Sequence, residues 1–272
     1  MAEGYSKACC TIPPVISQGY EPKGKYIELN GMKTYVTGPP TSKKALFIIY
    51  DIFGFFPQTL QGADILSSST STDPDQTYTV FMPDLFEGSP APISWYPPDN
   101  EDKKAKLGKF FAEKAGPGPH LEKVPGLIRA AERWAKGEEG GKFEAGWGVV
   151  GFCWGGKIAT LLAKGEGEKG LFRAAVQCHP AMLDAGDAKE VRVPMAVLAS
   201  MDEDRETVRK FGEELRGNKD VGGAGEGRSL VKTWEGQIHG WMAARADLGD
   251  EEVKREYGEG YKTVLGFLRE NM

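Results

Sequence analysis

Along this chain, short β-rich apolar runs alternate with longer stretches in which apolar residues return every three or four positions. Lys25–Leu29 and Met32–Thr37 flank Asn30-Gly31, a pair that favours the tight turn of an antiparallel hairpin. Ala45–Tyr50 is continuously apolar, as a strand covered on both faces requires. A helical pattern follows over about Pro57–Ser68, with Leu60, Ala63 and Leu66 on one side, and Thr77–Met82 is the next strand. Residues 86–100 are rich in proline, glycine and aromatics, and read as a loop long enough to wall a pocket. Glu101–Lys114 reads as a helix, and a second begins near Leu121, where Pro125 is tolerable only in the first turn.

Downstream, the pattern predicts a strand over 146–150, a helix over Lys157–Lys164, and strands at Arg173–Gln177, Val193–Ala199 and Leu230–Trp234. Helices are expected over about Glu203–Arg216 and Glu251–Arg269, the latter with Val253, Tyr257, Tyr261, Val264 and Leu268 at helical spacing. Gly217–Gly227 reads as a surface loop. Strands alternating with helices after an opening hairpin imply one α/β domain with a mostly parallel central sheet flanked by helices on both faces. That domain is expected to span 1–272, with residues 1–20 as an irregular lead-in.

Composition narrows the setting. A chain of 272 residues can bury one sizeable core, and a net charge of -5 with no basic stripe argues against a nucleic-acid surface. The beginning of the chain lacks a basic segment followed by an apolar core, and no apolar run approaches the roughly 20 residues of a membrane span. The four cysteines, at 9, 10, 153 and 178, form no paired framework, so reduced thiols and a cytoplasmic protein are expected. The three histidines, at 120, 179 and 239, are too dispersed for a metal site, and His120 reads as exposed. Neither metal nor cofactor is expected. A monomer or homodimer is expected, with neither nucleic acid nor membrane as a partner.

The chemistry concentrates at Gly151-Phe152-Cys153-Trp154-Gly155-Gly156, directly after the strand over 146–150. This resembles the nucleophile elbow of the α/β-hydrolase fold, with cysteine in place of serine. A sharp strand-to-helix turn lifts one side chain out of the sheet, and its neighbours must be small because a Cβ would meet adjacent backbone. The thiol of Cys153 then stands at a helix N-terminus, where free N–H groups favour negative charge. A thiol nucleophile needs a base and an acid that orients the base. Asp202 lies just past the strand ending at Ala199, and His239 just past the strand ending at Trp234, giving the order Cys153, Asp202, His239. Glu203 and Asp204 compete with Asp202, which is preferred as the residue nearest the strand end, whereas Asp204 suits a helix start. His179, at another strand end, is the rival base. The backbone N–H groups of Ile52 and Trp154 are candidates for an oxyanion hole.

Taken together, Asp51-Ile52-Phe53-Gly54, Pro83-Asp84-Leu85-Phe86, the cysteine elbow, His179-Pro180, Ser200-Met201-Asp202 and His239-Gly240-Trp241 resemble the dienelactone hydrolase family, in its fungal branch, over roughly 25–267. The resemblance implies a Cys–His–Asp hydrolase that opens lactones or cleaves activated esters. Asp51 stands where bacterial members carry a glutamate near the resting thiol. Those members bind the substrate carboxylate with arginines, one of them four residues beyond the catalytic histidine. That position is Ala243 here, the nearest arginine is Arg245, and none lies between Pro83 and Lys114. Specificity for an anionic lactone is therefore not implied. A more apolar pocket is expected, walled by Phe55, Phe56, Trp95, Tyr96, Trp154 and Trp241; the candidate substrate contacts are Asp51, Phe53, Phe55, Trp95, Tyr96, His179 and Trp241. Two other readings use the same scaffold: a binding module without catalysis, and a redox thiol at Cys153 with Cys178 as its resolving partner. Asp84 reads as a turn cap, Cys178 as a core residue, and the charged run Glu251–Arg255 as a solvated helix face.

Overall fold

The computed structural model describes residues 14–15, 19–67, 77–137, 142–219, 221 and 229–272. Cys9, Cys10, most of the expected lead-in and most of the Gly217–Gly227 segment lie outside the described residues. The eight strands are β1 Lys25–Leu29, β2 Met32–Thr37, β3 Lys44–Ile49, β4 Tyr78–Pro83, β5 Gly146–Phe152, β6 Phe172–Cys178, β7 Met195–Ser200 and β8 Leu230–Trp234. They form one sheet in the order β1-β2-β4-β3-β5-β6-β7-β8. β1 and β2 pair antiparallel, as do β2 and β4, and every other pairing is parallel. The opening hairpin turns where expected, with Asn30 and Gly31 both at positive φ, 50° and 77°.

The helices are α1 Pro57–Ser67, α2 Glu101–Glu113, α3 Pro117–Gly137, α4 Trp154–Lys164, α5 Ala185–Ala188, α6 Arg205–Gly217 and α7 Glu251–Asn271. They cover both faces of the sheet. α1 and α7 pack on each other, on β4 and on β6 and β7, while α4 packs on β3, β5 and β6 with α3 and α5 beside it. The expected stripe of α7 is the buried one: Tyr257, Tyr261, Val264 and Leu268 face the sheet, and Val253 packs at its margin. Burying a side chain of that kind contributes roughly 1.5–3 kcal/mol, so this face is what docks the last helix. Its first turn is held by Asp250, which accepts from the N–H groups of Glu252 and Val253 at 2.8 and 3.1 Å.

Three local expectations change. α3 begins at Pro117, not near Leu121, so Pro125 sits inside the helix. Proline at the first helical position needs no N–H partner there, which makes Pro117 a good start. Pro125 is carried on the buried face with Leu121, Val124 and Ile128. The same shift buries His120, expected to be exposed, at 5% exposure. The short helix α5 was not foreseen; Asp184 caps it by accepting from Gly186 N at 2.8 Å.

Candidate functional site

The ends of β3, β5, β6, β7 and β8 share one edge of the sheet, and the chemically competent residues follow those ends. Cys153 links β5 to α4 with φ 53° and ψ −113°, a region that costs a non-glycine residue of order 1–3 kcal/mol. The glycines around it allow the turn. A Cβ on Gly151 would lie 2.0 Å from Gly155 O, and one on Gly155 would lie 2.2 Å from Ile49 O. The turn is pinned by Cys153 N, which donates to Cys178 O at 3.0 Å, and by Cys153 O, which accepts from Gly156 N at 3.1 Å and Ala181 N at 3.2 Å. Cys153 is wholly buried at the N-terminus of α4.

His239 lies in the turn after β8 and is also wholly buried. Its Nδ1 donates to Glu203 Oε1 at 2.6 Å, an ion-pair geometry between two buried groups. That bond leaves Nε2 as the basic nitrogen of the ring. The second oxygen of Glu203 accepts from Ser200 N, which anchors the carboxylate to the end of β7. Asp202, the expected partner of the imidazole, does something else: its Oδ2 accepts from the main-chain N–H of His239 at 2.8 Å. The shorter side chain stops at the backbone, and the longer one of the next residue reaches the ring. Met201 N also donates to Gln237 O at 2.9 Å, so two loops are tied together before either side chain is placed. Asp204 caps α6, accepting from Thr207 N and Thr207 Oγ1 at 2.7 Å each, as its position suggested.

Ile52 follows β3 and Trp154 opens α4 after β5. The register pairs Ile49 with Gly151, and each of these two residues lies three positions beyond its member of that pair. The Asp51 carboxylate is fully buried and accepts from Phe53 N at 2.9 Å and Ala244 N at 3.4 Å, bridging the loops after β3 and β8. Burial pushes its pKa up, with Arg245 and His239 pulling the other way.

Of the aromatic walls expected, Phe53 and Tyr96 come together, with ring centroids 5.1 Å apart. Most of the others are engaged elsewhere. Phe55 packs on Tyr26 and Tyr50, Trp95 on Phe110, and Trp241 on Trp234. The indole of Trp154 turns away to Phe86 and His120 and donates to Ala115 O at 2.8 Å. Phe56 packs beside Phe53. Instead of a purely apolar wall there is a buried cation: the Arg245 guanidinium lies 5.2 Å from the Phe53 centroid and 5.8 Å from that of Tyr96. Its position in the sequence carried no sign of burial, because arginine is rarely buried without a partner that only the fold supplies.

His179 follows β6, wholly buried, with its ring 5.2 Å from that of His239 and 5.9 Å from Phe152. Cys178 is buried, as expected of a core residue, and burial pushes its thiol pKa well up. Asp84 is a turn cap, accepting from Gly88 N at 2.8 Å and from Tyr50 Oη at 2.7 Å. Among the described residues no group of three or more His, Cys, Asp or Glu is arranged to hold a metal, and no helix is long and apolar enough to cross a membrane.

The chain is similar to known proteins in sequence and in fold. The model of the dienelactone hydrolase family matches residues 32–271. An AIM2 family protein of Schizosaccharomyces pombe is 32% identical over 258 residues, covering 94% of each chain. The human carboxymethylenebutenolidase homolog is 25% identical over 255 residues, covering 92% of this chain and 91% of its own. Among solved structures, a proposed dienelactone hydrolase from Klebsiella pneumoniae superposes with a TM-score of 0.61 at 17% identity, covering 94% of this chain and 95% of its own. With a family model spanning nearly all of the sheet and every residue at its edge, the chain belongs to the dienelactone hydrolase family.

Proposed function

We propose that this chain, an ester-bond hydrolase by its family, cleaves a lactone or small activated ester through an acyl-enzyme on Cys153, with His239 as base and Glu203 as the orienting acid. The observation that carries the reading is the elbow: a strained cysteine between glycines that admit no Cβ, at a helix N-terminus on the sheet edge shared with His239. His239 Nε2 takes the thiol proton, and the sulfur attacks the carbonyl carbon. The carbonyl oxygen becomes an oxyanion facing the N–H groups of Ile52 and Trp154. Collapse expels the alkoxide, protonated by His239. Water, deprotonated by the same nitrogen, then releases the acid and restores the thiol. An alkoxide leaves more readily than an amine, which suits esters and lactones.

The acid of this scheme is Glu203, not the Asp202 of the sequence expectation. The bond from Nδ1 to Glu203 supports that choice, since it fixes the ring orientation and stabilises the imidazolium formed during transfer. A resolving role for Cys178 is disfavoured, because its buried thiol resists ionisation. Cys153→Ala is expected to abolish turnover of p-nitrophenyl butyrate with the thermal midpoint retained. Undiminished turnover in that variant would remove the mechanism, and a missing acyl adduct by intact mass after rapid quench would favour binding without catalysis.

A further inference from the structure

His179 combines three features that a residue with only a packing role does not need. It is a non-glycine residue at φ 37°, one of four such positive-φ side chains among the described residues, and Cys153 is another. It is wholly buried, yet neither ring nitrogen has a hydrogen-bond partner among the described residues. A buried polar atom left unpaired opposes folding, and so does backbone strain; both persist where the site uses them. The third feature is placement. Cys153 N donates to Cys178 O, and Cys153 O accepts from Ala181 N, so the elbow is bonded to residues on either side of His179. His179 N donates to Leu198 O at 2.7 Å, which holds the turn against β7. The ring is thereby set between Phe152 and the imidazole of His239.

Electrostatics then limit what this second imidazole can do. Burial, together with His239 and Arg245, pushes its pKa well below the ordinary histidine value. A neutral imidazole carries one N–H donor and one acceptor nitrogen. It adds no positive charge beside His239, so it does not oppose protonation of the base during transfer. An ester or lactone brings only acceptors to the reacting group, and the N–H of a neutral ring is the complementary donor.

We infer that His179 contacts the substrate, donating a ring N–H hydrogen bond to an oxygen of the ester or lactone held at Cys153. This rests on the hydrolase reading above and deepens it, adding a side chain that touches the substrate to the Cys153, His239 and Glu203 of that scheme. The inference also explains why an unpaired ring is kept: its donor is satisfied only when substrate enters.

The test uses two replacements in the full-length protein, His179→Phe and His179→Asn, with p-nitrophenyl butyrate as substrate. Phenylalanine keeps a ring of similar shape without nitrogens, so the thermal midpoint is expected to stay equal or rise while kcat/KM falls roughly tenfold to a hundredfold. Asparagine restores a donor and is expected to recover most of that loss. Wild-type kcat/KM in His179→Phe would overturn the inference, as would a lowered midpoint in that variant, which would mean that the nitrogens are paired in the free protein. Equal loss in both variants would likewise assign the residue to packing alone. Cys153→Ala in the same assay separates the two levels. If it stays active, the hydrolase reading fails and takes this one with it; if it is dead while His179→Phe is fully active, only the contact is wrong.

Discussion

Asp202 and Glu203 are neighbours that differ by one methylene, and that difference decides which carboxylate meets the imidazole. Asp202 accepts from the His239 main chain and Glu203 from the His239 ring. Glu203→Gln keeps the shape and removes the charge. It is expected to lower kcat on p-nitrophenyl butyrate by about 10³- to 10⁴-fold, the scale seen when an orienting carboxylate becomes an amide. Asp202→Asn removes a charge-assisted bond to a backbone N–H. It should cost stability of about 1–2 kcal/mol in urea titration, with kcat within roughly tenfold of wild type. The reverse ranking of the two variants would return the acid to Asp202. The sequence confined the acid to three adjacent positions, because strand ends are legible from apolar runs. It favoured Asp202, the residue nearest the strand end, whereas the ring meets Glu203, because side-chain reach depends on how two loops from β7 and β8 meet.

At the scale of the element, the elbow was legible to the residue. Its chemistry is local: the strand, the glycines and the following helix are contiguous, and steric exclusion acts over a few bonds. Gly155→Ala would press a Cβ to 2.2 Å from Ile49 O and 2.7 Å from Tyr50 O, both backbone atoms that have no rotamer to escape into. The variant is expected to lose about 3 kcal/mol or more in urea unfolding, and Gly156→Ala less. There the nearest atom is Gln177 Cβ at 3.1 Å, and a small shift accommodates it. Equal losses would mean that the close approach of α4 to β3 is not what the glycine serves. Helix starts were less legible than strands. α3 took up Pro117 and carried Pro125 inside, because burial of a whole apolar face outweighs one missing N–H. That early start is what brings His120 under Phe86 and Trp154, where its Nε2 meets Lys114 O at 2.7 Å.

For the whole molecule, two of the three buried imidazoles make stability depend on acid. The pKa values of His179 and His120 are both depressed, mainly by burial. The folded state keeps these rings neutral while the unfolded chain protonates them near 6.5, so the unfolded state binds more protons below that pH. Stability is therefore fully present above about pH 6.5 and falls as pH drops, by about 1.4 kcal/mol per pH unit for each imidazole until its folded pKa is reached. Asp51, raised instead, acts in the opposite sense and only nearer the carboxylate range. Urea unfolding between pH 7.5 and 5.5 should show this acid slope, and His179→Phe should make it shallower. An unchanged slope in that variant would mean that His179 is protonated in the folded protein.

The sequence by itself determined the alternation of strands and helices, the hairpin turn, the elbow and the chain order of Cys153 and His239. Each of these follows from apolar periodicity or from sterics within a few residues. The tertiary structure decided which carboxylate meets the His239 ring, that Arg245 is buried against Phe53 and Tyr96, that Trp154 and Trp241 turn into the core, and that His179 lies beside His239. The physical reason is common to all four. Each depends on side chains from different elements that converge only when the strands and helices stand side by side, and neither period nor spacing along a chain encodes the torsion angles with which they meet.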